Sequence, residues 1–367
     1  MFKLKLLFVF ALIISFAGNV FAQKADSIKY ISISGQYSIG YIYAHHPSLK
    51  YYIKDYVPAV ELNVGFRQKG NKIWHKLYRY PTLGFGYYHA ELGNPEVLGH
   101  VDALFPFIAI PILEKKYFKL STKFAAGIAW LSKSFDLYEN NYNTAIGSNL
   151  NAYLNIKLKS ELKLNQRVYL LTGLGMTHYS NGGSNQPNQG LNVVSVSAGI
   201  LYNLYKNEFR RLEPEIPKFI KKNEYSIILS VGTKTLEPAG TKHYMTSILS
   251  FNLDRQFSYK GMFGFGFDLF KDNSREEYLH EKEDVENPTT ADLFYAGGHA
   301  SYDFIFGKTS FTVQMGGYFI NRAKSFQYVY HRFGIKYRFS EHFMANVTLK
   351  TFWAAADFSE WGIGYRF

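Results

Sequence analysis

Most of this chain consists of segments of about ten residues or longer in which apolar and polar side chains alternate, with short turns between them. Examples are YISISGQYSIGYIY at 30–43, NLNAYLNIKLKSELKL at 149–164 and YSIILSVGTKTL at 225–236. Because successive side chains of a strand point to opposite faces, each segment offers one face to lipid and one to a barrel interior. The abundance of aromatic residues, 30 Tyr and 32 Phe, fits strands at a membrane. The pattern predicts an all-β, antiparallel transmembrane barrel.

The N-terminal residues indicate export. Two lysines precede an apolar run that ends in the small-residue cleavage site Val20-Phe21-Ala22, so residues 1–22 are predicted to be a signal peptide. Its removal would lower the formal net charge from +12 to about +10. With no cysteine, the exported chain has no disulfides and is held by burial and hydrogen bonds alone.

The C-terminal residues indicate the membrane. The stretch SEWGIGYRF at 359–367 alternates large apolar residues with small or polar ones and stops on Phe367. A last strand that ends in an aromatic residue resembles the signal recognised by the machinery that inserts outer-membrane barrels. We therefore expect the protein in the bacterial outer membrane, with that machinery as a partner.

About sixteen strands can be read from the alternation, an even number as bacterial barrels require. The charged, proline-bearing stretch 206–222 divides them into halves at 23–205 and 223–367. If the N-terminus is periplasmic, short turns and long loops alternate as expected for such a barrel, apart from the longer periplasmic connections 68–80 and 206–222. One large barrel of sixteen strands is the favoured prediction, with 223–367 completing it. Two smaller barrels in tandem stay open.

Three polar residues stand out at one end of two neighbouring strands. In strand 167–180 the even positions form the more continuously apolar face, and His178 and Ser180 continue that face at its predicted extracellular end. In the next strand Asn192 extends the apolar stripe toward the same loop. Polar groups are costly where a barrel wall meets lipid, so they suggest a site.

Histidine beside serine, with a third polar group to orient the imidazole, is the arrangement of an activated hydroxyl nucleophile. The Asn-Gly-Gly stretch after Ser180 could offer N–H donors to an oxyanion. The alternative is a histidine at the membrane interface whose hydrogen bonds are satisfied and which has no catalytic role. The acyl esters abundant at this depth are those of the outer leaflet itself.

The stretch HYSN at 178–181, followed by Pro187, Asn188 and Gly190, resembles the signature of the PagL-type lipid A 3-O-deacylases and related acyloxyacyl hydrolase-like barrels. The resemblance implies an eight-stranded outer-membrane barrel that removes an ester-linked acyl chain from lipid A with a membrane-facing Ser-His-Glu triad. It covers residues 24–205 at most, and most clearly 177–200.

Carried onto this sequence, the resemblance makes His178 the general base and Ser180 the nucleophile. Asn181 and Gly183 lie where the family forms its oxyanion hole, and Asn188 matches an asparagine that positions the site. No metal or cofactor is implied.

The family's glutamate is replaced here by Asn192. An amide oxygen can accept the imidazole N–H but cannot stabilise an imidazolium as a carboxylate does, and loss of that carboxylate can cost about 10⁴-fold in kcat. An acid from the 134–146 loop, Asp136 or Glu139, is a possible substitute.

Other charged or metal-ligating residues give weaker signals. His45 and His46 could bind a metal, but adjacent residues of a strand point to opposite faces, so a solvated pair is favoured. The acidic stretch 275–286 is read as a solvated loop, with cation bridging to lipopolysaccharide phosphates as the alternative. The basic excess suits anionic lipid head groups, and no nucleic acid is expected as a partner.

Two functions therefore compete. The first is an esterase acting on outer-leaflet lipopolysaccharide, which the retained His178 and Ser180 favour. The second is a non-catalytic barrel, a pore or lipid-binding scaffold with a degenerate site, which Asn192 and the unexplained half 223–367 favour.

Overall fold

The computed structural model describes residues 30–205, 209–236, 242–283, 286–322, 328–353 and 355–367. The predicted signal peptide lies outside these ranges. Eight strands make up the first half: Ile31–Ile42 (β1), Val57–Arg67 (β2), Thr82–Glu91 (β3), His100–Glu114 (β4), Phe118–Leu131 (β5), Leu150–Lys163 (β6), Val168–Ser180 (β7) and Leu191–Asn203 (β8). Each strand follows one of the alternating segments read from the sequence.

Eight further strands make up the second half: Lys222–Lys234 (β9), Tyr244–Gln256 (β10), Gly261–Asp272 (β11), Phe294–Phe306 (β12), Thr309–Ile320 (β13), Val329–Arg338 (β14), Phe343–Phe352 (β15) and Ala355–Arg366 (β16). The terminal Phe367 is exposed, and its N–H donates to Tyr225 O at 3.0 Å. Its recognition by insertion machinery stays a prediction.

Each half closes on itself as an antiparallel barrel. β8 pairs with β1, as in Tyr37 opposite Ala198, and β16 pairs with β9, as in Ile363 opposite Leu229. The all-β class and the sixteen strands are confirmed. The favoured single barrel is wrong, and the tandem of two eight-stranded barrels is observed. Eight strands leave an interior wide enough for side chains, which removes the basis for a wide sixteen-stranded pore.

Polar, ionic and aromatic side chains fill the interior of the first barrel. Glu61 lies between two lysines, with Lys123 Nζ at 2.6 Å and Lys157 Nζ at 2.7 Å from its carboxylate oxygens. Phe105 stacks on Tyr153 with ring centroids 4.7 Å apart. Gly86 of β3 leaves room for the Phe105 ring, with which a Cβ at this position would clash.

The second barrel contains a separate polar network. Asp268 accepts hydrogen bonds from His299 Nδ1 at 2.8 Å and from the guanidinium of Arg332 at 3.3 Å. Glu360 pairs with the same guanidinium at 2.7 Å. All four side chains are buried, so we interpret this network as part of the interior packing of the second barrel.

In the described ranges, the helical segments lie in connections between strands. They are the α-helices Ile73–Leu77 (α1) and Arg275–Glu283 (α2) and the 3₁₀ turns Pro47–Tyr51 and Thr290–Leu293. None of the helices in the described ranges has the length and apolar composition needed to cross a membrane. The predicted solvated loop at 275–286 thus begins as a helix.

Candidate active site

The hairpin of β7 and β8 carries the three residues selected from the sequence. Its outward face is the one predicted, because Leu174 and Val196 on the even positions are 56% and 60% exposed. His178 lies opposite Asn192 in the register of the two strands. Both side chains continue the apolar outer face, at the ends of the strands predicted to be extracellular.

The imidazole of His178 is hydrogen bonded to the amide of Asn192. Nδ1 of the ring lies 2.7 Å from Oδ1, and because this oxygen only accepts, Nδ1 carries the proton. Nε2 then has a free lone pair, which is the tautomer a general base needs.

Gly190 makes room for this ring. A Cβ at position 190 would lie 2.9 Å from His178 Cε1, and the glycine has a φ of 76° that other residues rarely adopt. Its N–H donates to Ala145 O at 2.9 Å, which fixes the backbone beneath the imidazole.

Ser180 is buried, with 6% of its surface exposed, and lies opposite Ala152 of β6. It shares a strand face with His178. Among the hydrogen bonds of the described residues, none joins its hydroxyl to that ring. Nucleophile and base are often separated in unliganded enzymes and approach each other when substrate binds.

The loop 181–189 contains the residues that the resemblance placed at an oxyanion hole. Asn188 Oδ1 accepts the backbone N–H of Asn181 at 3.0 Å, and Asn181 Nδ2 donates to Asn185 O at 2.7 Å. Asn181 and Asn188 are therefore brought together. Gly183 lies in the same loop with a φ of 80°, and nothing in the described contacts joins it to these two side chains.

Two family models together match most of the chain. Residues 59–200 match lipid A 3-O-deacylase (PagL), and residues 223–367 match the acyloxyacyl hydrolase C-terminal domain. The chain belongs to the PagL family of outer-membrane β-barrels. Membership of this family places the protein in the bacterial outer membrane. No curated protein gives a significant match.

The solved structures that match this chain resemble it only weakly over its whole length. The outer-membrane enzyme PagL is 18% identical with a TM-score of 0.31, covering 45% of this chain and 97% of its own. Neisserial surface protein A is 9% identical with a TM-score of 0.30, covering 48% and 96%. A porin of Rh. blastica is 10% identical with a TM-score of 0.17, covering 92% and 99%.

In the described part of the chain, no hydrogen bond or ion pair joins Asp136 or Glu139 to His178, whose Nδ1 contacts Asn192. Asp136 instead accepts the N–H groups of Glu139 and Tyr138 at 2.9 and 2.8 Å, which lowers the pKa of its carboxyl group. Asp136 therefore stabilises its own loop.

His45 also contacts this site, although the sequence did not assign it there. Its Nδ1 lies 3.1 Å from Asn192 Nδ2. The sequence favoured a solvated histidine pair because adjacent residues of a strand point to opposite faces. The pairing of β1 with β8, which brings His45 to Asn192, follows only from closure of the first barrel after eight strands. His46 is exposed.

Proposed function

We propose that the first barrel is an outer-membrane esterase that removes an ester-linked acyl chain from lipid A. The observation that carries the proposal is the 2.7 Å contact of His178 Nδ1 with Asn192 Oδ1 on the outer face of the wall. This contact supports a tautomer of His178 that can act as a base. The ring is two residues from Ser180, on the face of the barrel wall that outer-leaflet lipid contacts.

In the proposed reaction, Ser180 Oγ attacks the acyl carbonyl carbon while its proton passes to His178 Nε2. The tetrahedral intermediate collapses, the bond to the sugar oxygen breaks, and the imidazolium gives its proton to that oxygen. Water then attacks the acyl-enzyme, losing a proton to His178, and the serine oxygen leaves and regains the proton. The products are a fatty acid and lipid A with one acyl chain fewer.

The role of Asn192 in this scheme is orientation. Its oxygen keeps the proton on Nδ1, but a neutral amide stabilises the transient imidazolium less than a carboxylate would. On the resemblance alone, we also propose Asn181 and Gly183 as oxyanion donors, with Asn188 positioning Asn181. The bond from Asn181 N to Asn188 Oδ1 supports this last role.

Mass spectrometry of lipid A tests the proposal. Cells that produce the full chain should contain lipid A shortened by one ester-linked acyl chain, and cells that produce no such protein should not. Unchanged lipid A, with the barrel folded and in the outer membrane, would contradict the esterase. That outcome would favour the lipid-binding scaffold that Asn192 also suggests.

Replacing Gly190 with Ala is expected to lower kcat by about 10- to 100-fold, because the new Cβ displaces the His178 ring and a small misplacement of a catalytic group is costly. Release of fatty acid from lipid A in detergent measures the effect. The matched control is Gly298→Ala on the second barrel, whose Cβ would meet nothing closer than 3.6 Å. Equal loss in both variants would contradict this role of Gly190.

A further inference from the structure

An asparagine in the orienting position brings an ambiguity that a carboxylate does not have. A carboxylate accepts with either oxygen, whereas an amide has one acceptor and one donor end of almost the same size. If the amide of Asn192 turned by 180°, its NH₂ group would face His178 Nδ1. The ring would then carry its proton on Nε2 and could not take a proton from Ser180.

The structure places a second ring nitrogen beside the other end of this amide. His45 Nδ1 lies 3.1 Å from Asn192 Nδ2, while Asn192 Oδ1 lies 2.7 Å from His178 Nδ1. Since an amide NH₂ only donates, His45 Nδ1 must accept in this arrangement. The three side chains form one directed series of hydrogen bonds, from His178 to Asn192 to His45.

The backbone fixes His45 in this place. Tyr43 N donates to Asn192 O at 2.8 Å, which joins the end of β1 to β8. Two residues later, His45 N donates to Tyr43 O at 3.0 Å. Tyr43 O also lies 3.3 Å from His45 Nδ1, and a carbonyl oxygen can accept a second hydrogen bond. The shorter contact, 3.1 Å to the NH₂ group of Asn192, assigns this ring nitrogen as an acceptor.

We propose that His45 is a positioning residue, which holds the amide of Asn192 in the one orientation that makes His178 a base. Its role in catalysis rests on the esterase proposed above. It also offers a reason why an asparagine can stand where the family has a glutamate: a carboxylate presents an acceptor to His178 in either orientation, whereas here a second histidine fixes the amide with its oxygen toward that ring.

Kinetics in the wild-type and Asn192→Asp backgrounds test the proposal. His45→Ala should lower kcat by about 10- to 100-fold with little change in KM, as loss of a supporting partner does at other histidine sites. In an Asn192→Asp background the same change should cost less than about threefold, because a carboxylate cannot turn a donor toward His178. His45→Gln, whose side-chain oxygen can accept, should recover part of the loss, and His46→Ala is the adjacent control.

A second readout does not depend on activity. In ¹⁵N-histidine spectra of the full chain in micelles at about pH 8, where imidazoles are normally neutral, His178 should be protonated on Nδ1. His45→Ala should introduce the Nε2-protonated form, and His46→Ala should not. An unchanged His178 tautomer in His45→Ala overturns the proposal. A shift of tautomer in a protein that leaves lipid A intact supports the role of His45 and contradicts only the esterase.

Discussion

Purified protein with Ser180 replaced by Ala is expected to lose at least about 10⁴-fold in kcat for release of fatty acid from lipid A. His178→Ala should lose a similar factor, and the double variant should be no worse than either single one. Nucleophile and base act as a unit, so removing one member of the pair already removes the benefit of the other. Single-turnover assays in detergent, with fatty acid quantified by mass spectrometry, measure these rates.

The matched control for these variants is Ser195→Ala. Ser195 is a buried serine of the neighbouring strand β8, and its side chain faces the barrel interior. It should leave kcat within about twofold. If Ser180→Ala keeps more than about a tenth of the activity of an active wild type, another group is the nucleophile and the proposed mechanism is wrong.

Strand positions could be predicted from the sequence because one physical property, the alternation of lipid-facing and interior side chains, is repeated in every strand. The outward face of β7 followed from the same pattern, and Leu174 lies outward as expected. His178 and Asn192 could be brought together as well, since a hairpin with a single loop limits the register to a few choices.

Barrel closure could not be predicted in this way, because it depends on pairing between strands that are distant in sequence. In one barrel of sixteen strands β1 would pair with β16, and His45 would lie away from Asn192. In the observed fold β1 pairs with β8, with Ile42 opposite Val193. The number of strands was therefore enough to predict the fold class, but not which residues meet at the site.

The residue whose loss should most destabilise the first barrel is Glu61. Glu61→Gln keeps the shape of the side chain but leaves Lys123 and Lys157 buried without a counter-charge. Removing one member of a buried ionic group costs about 3–5 kcal/mol, and we expect a loss of this size in the free energy of unfolding. Equilibrium unfolding in urea, followed by tryptophan fluorescence in micelles, measures it.

Two comparisons make this prediction specific. Glu96→Gln removes an exposed partner of Lys54 and should change stability little, because ion pairs in water contribute little. Replacing Glu61 by Leu together with both lysines by Met should recover much of the loss, since an apolar group of similar volume can substitute for a buried ionic one. No recovery would show that these residues act through packing rather than charge.

The Glu61 variant also separates stability from chemistry. The carboxylate of Glu61 points into the barrel, whereas His178 and Asn192 continue the outward, lipid-facing side of the wall. Glu61 lies on β2 and its two lysines on β5 and β6, whereas His178 and Asn192 lie on β7 and β8, and none of the hydrogen bonds or ion pairs of the described residues joins the two sets. We therefore expect the folded fraction of Glu61→Gln to keep the wild-type kcat. A fall in kcat for fully folded protein would mean that the charge of Glu61 inside the barrel affects the imidazole of His178 on its outer face.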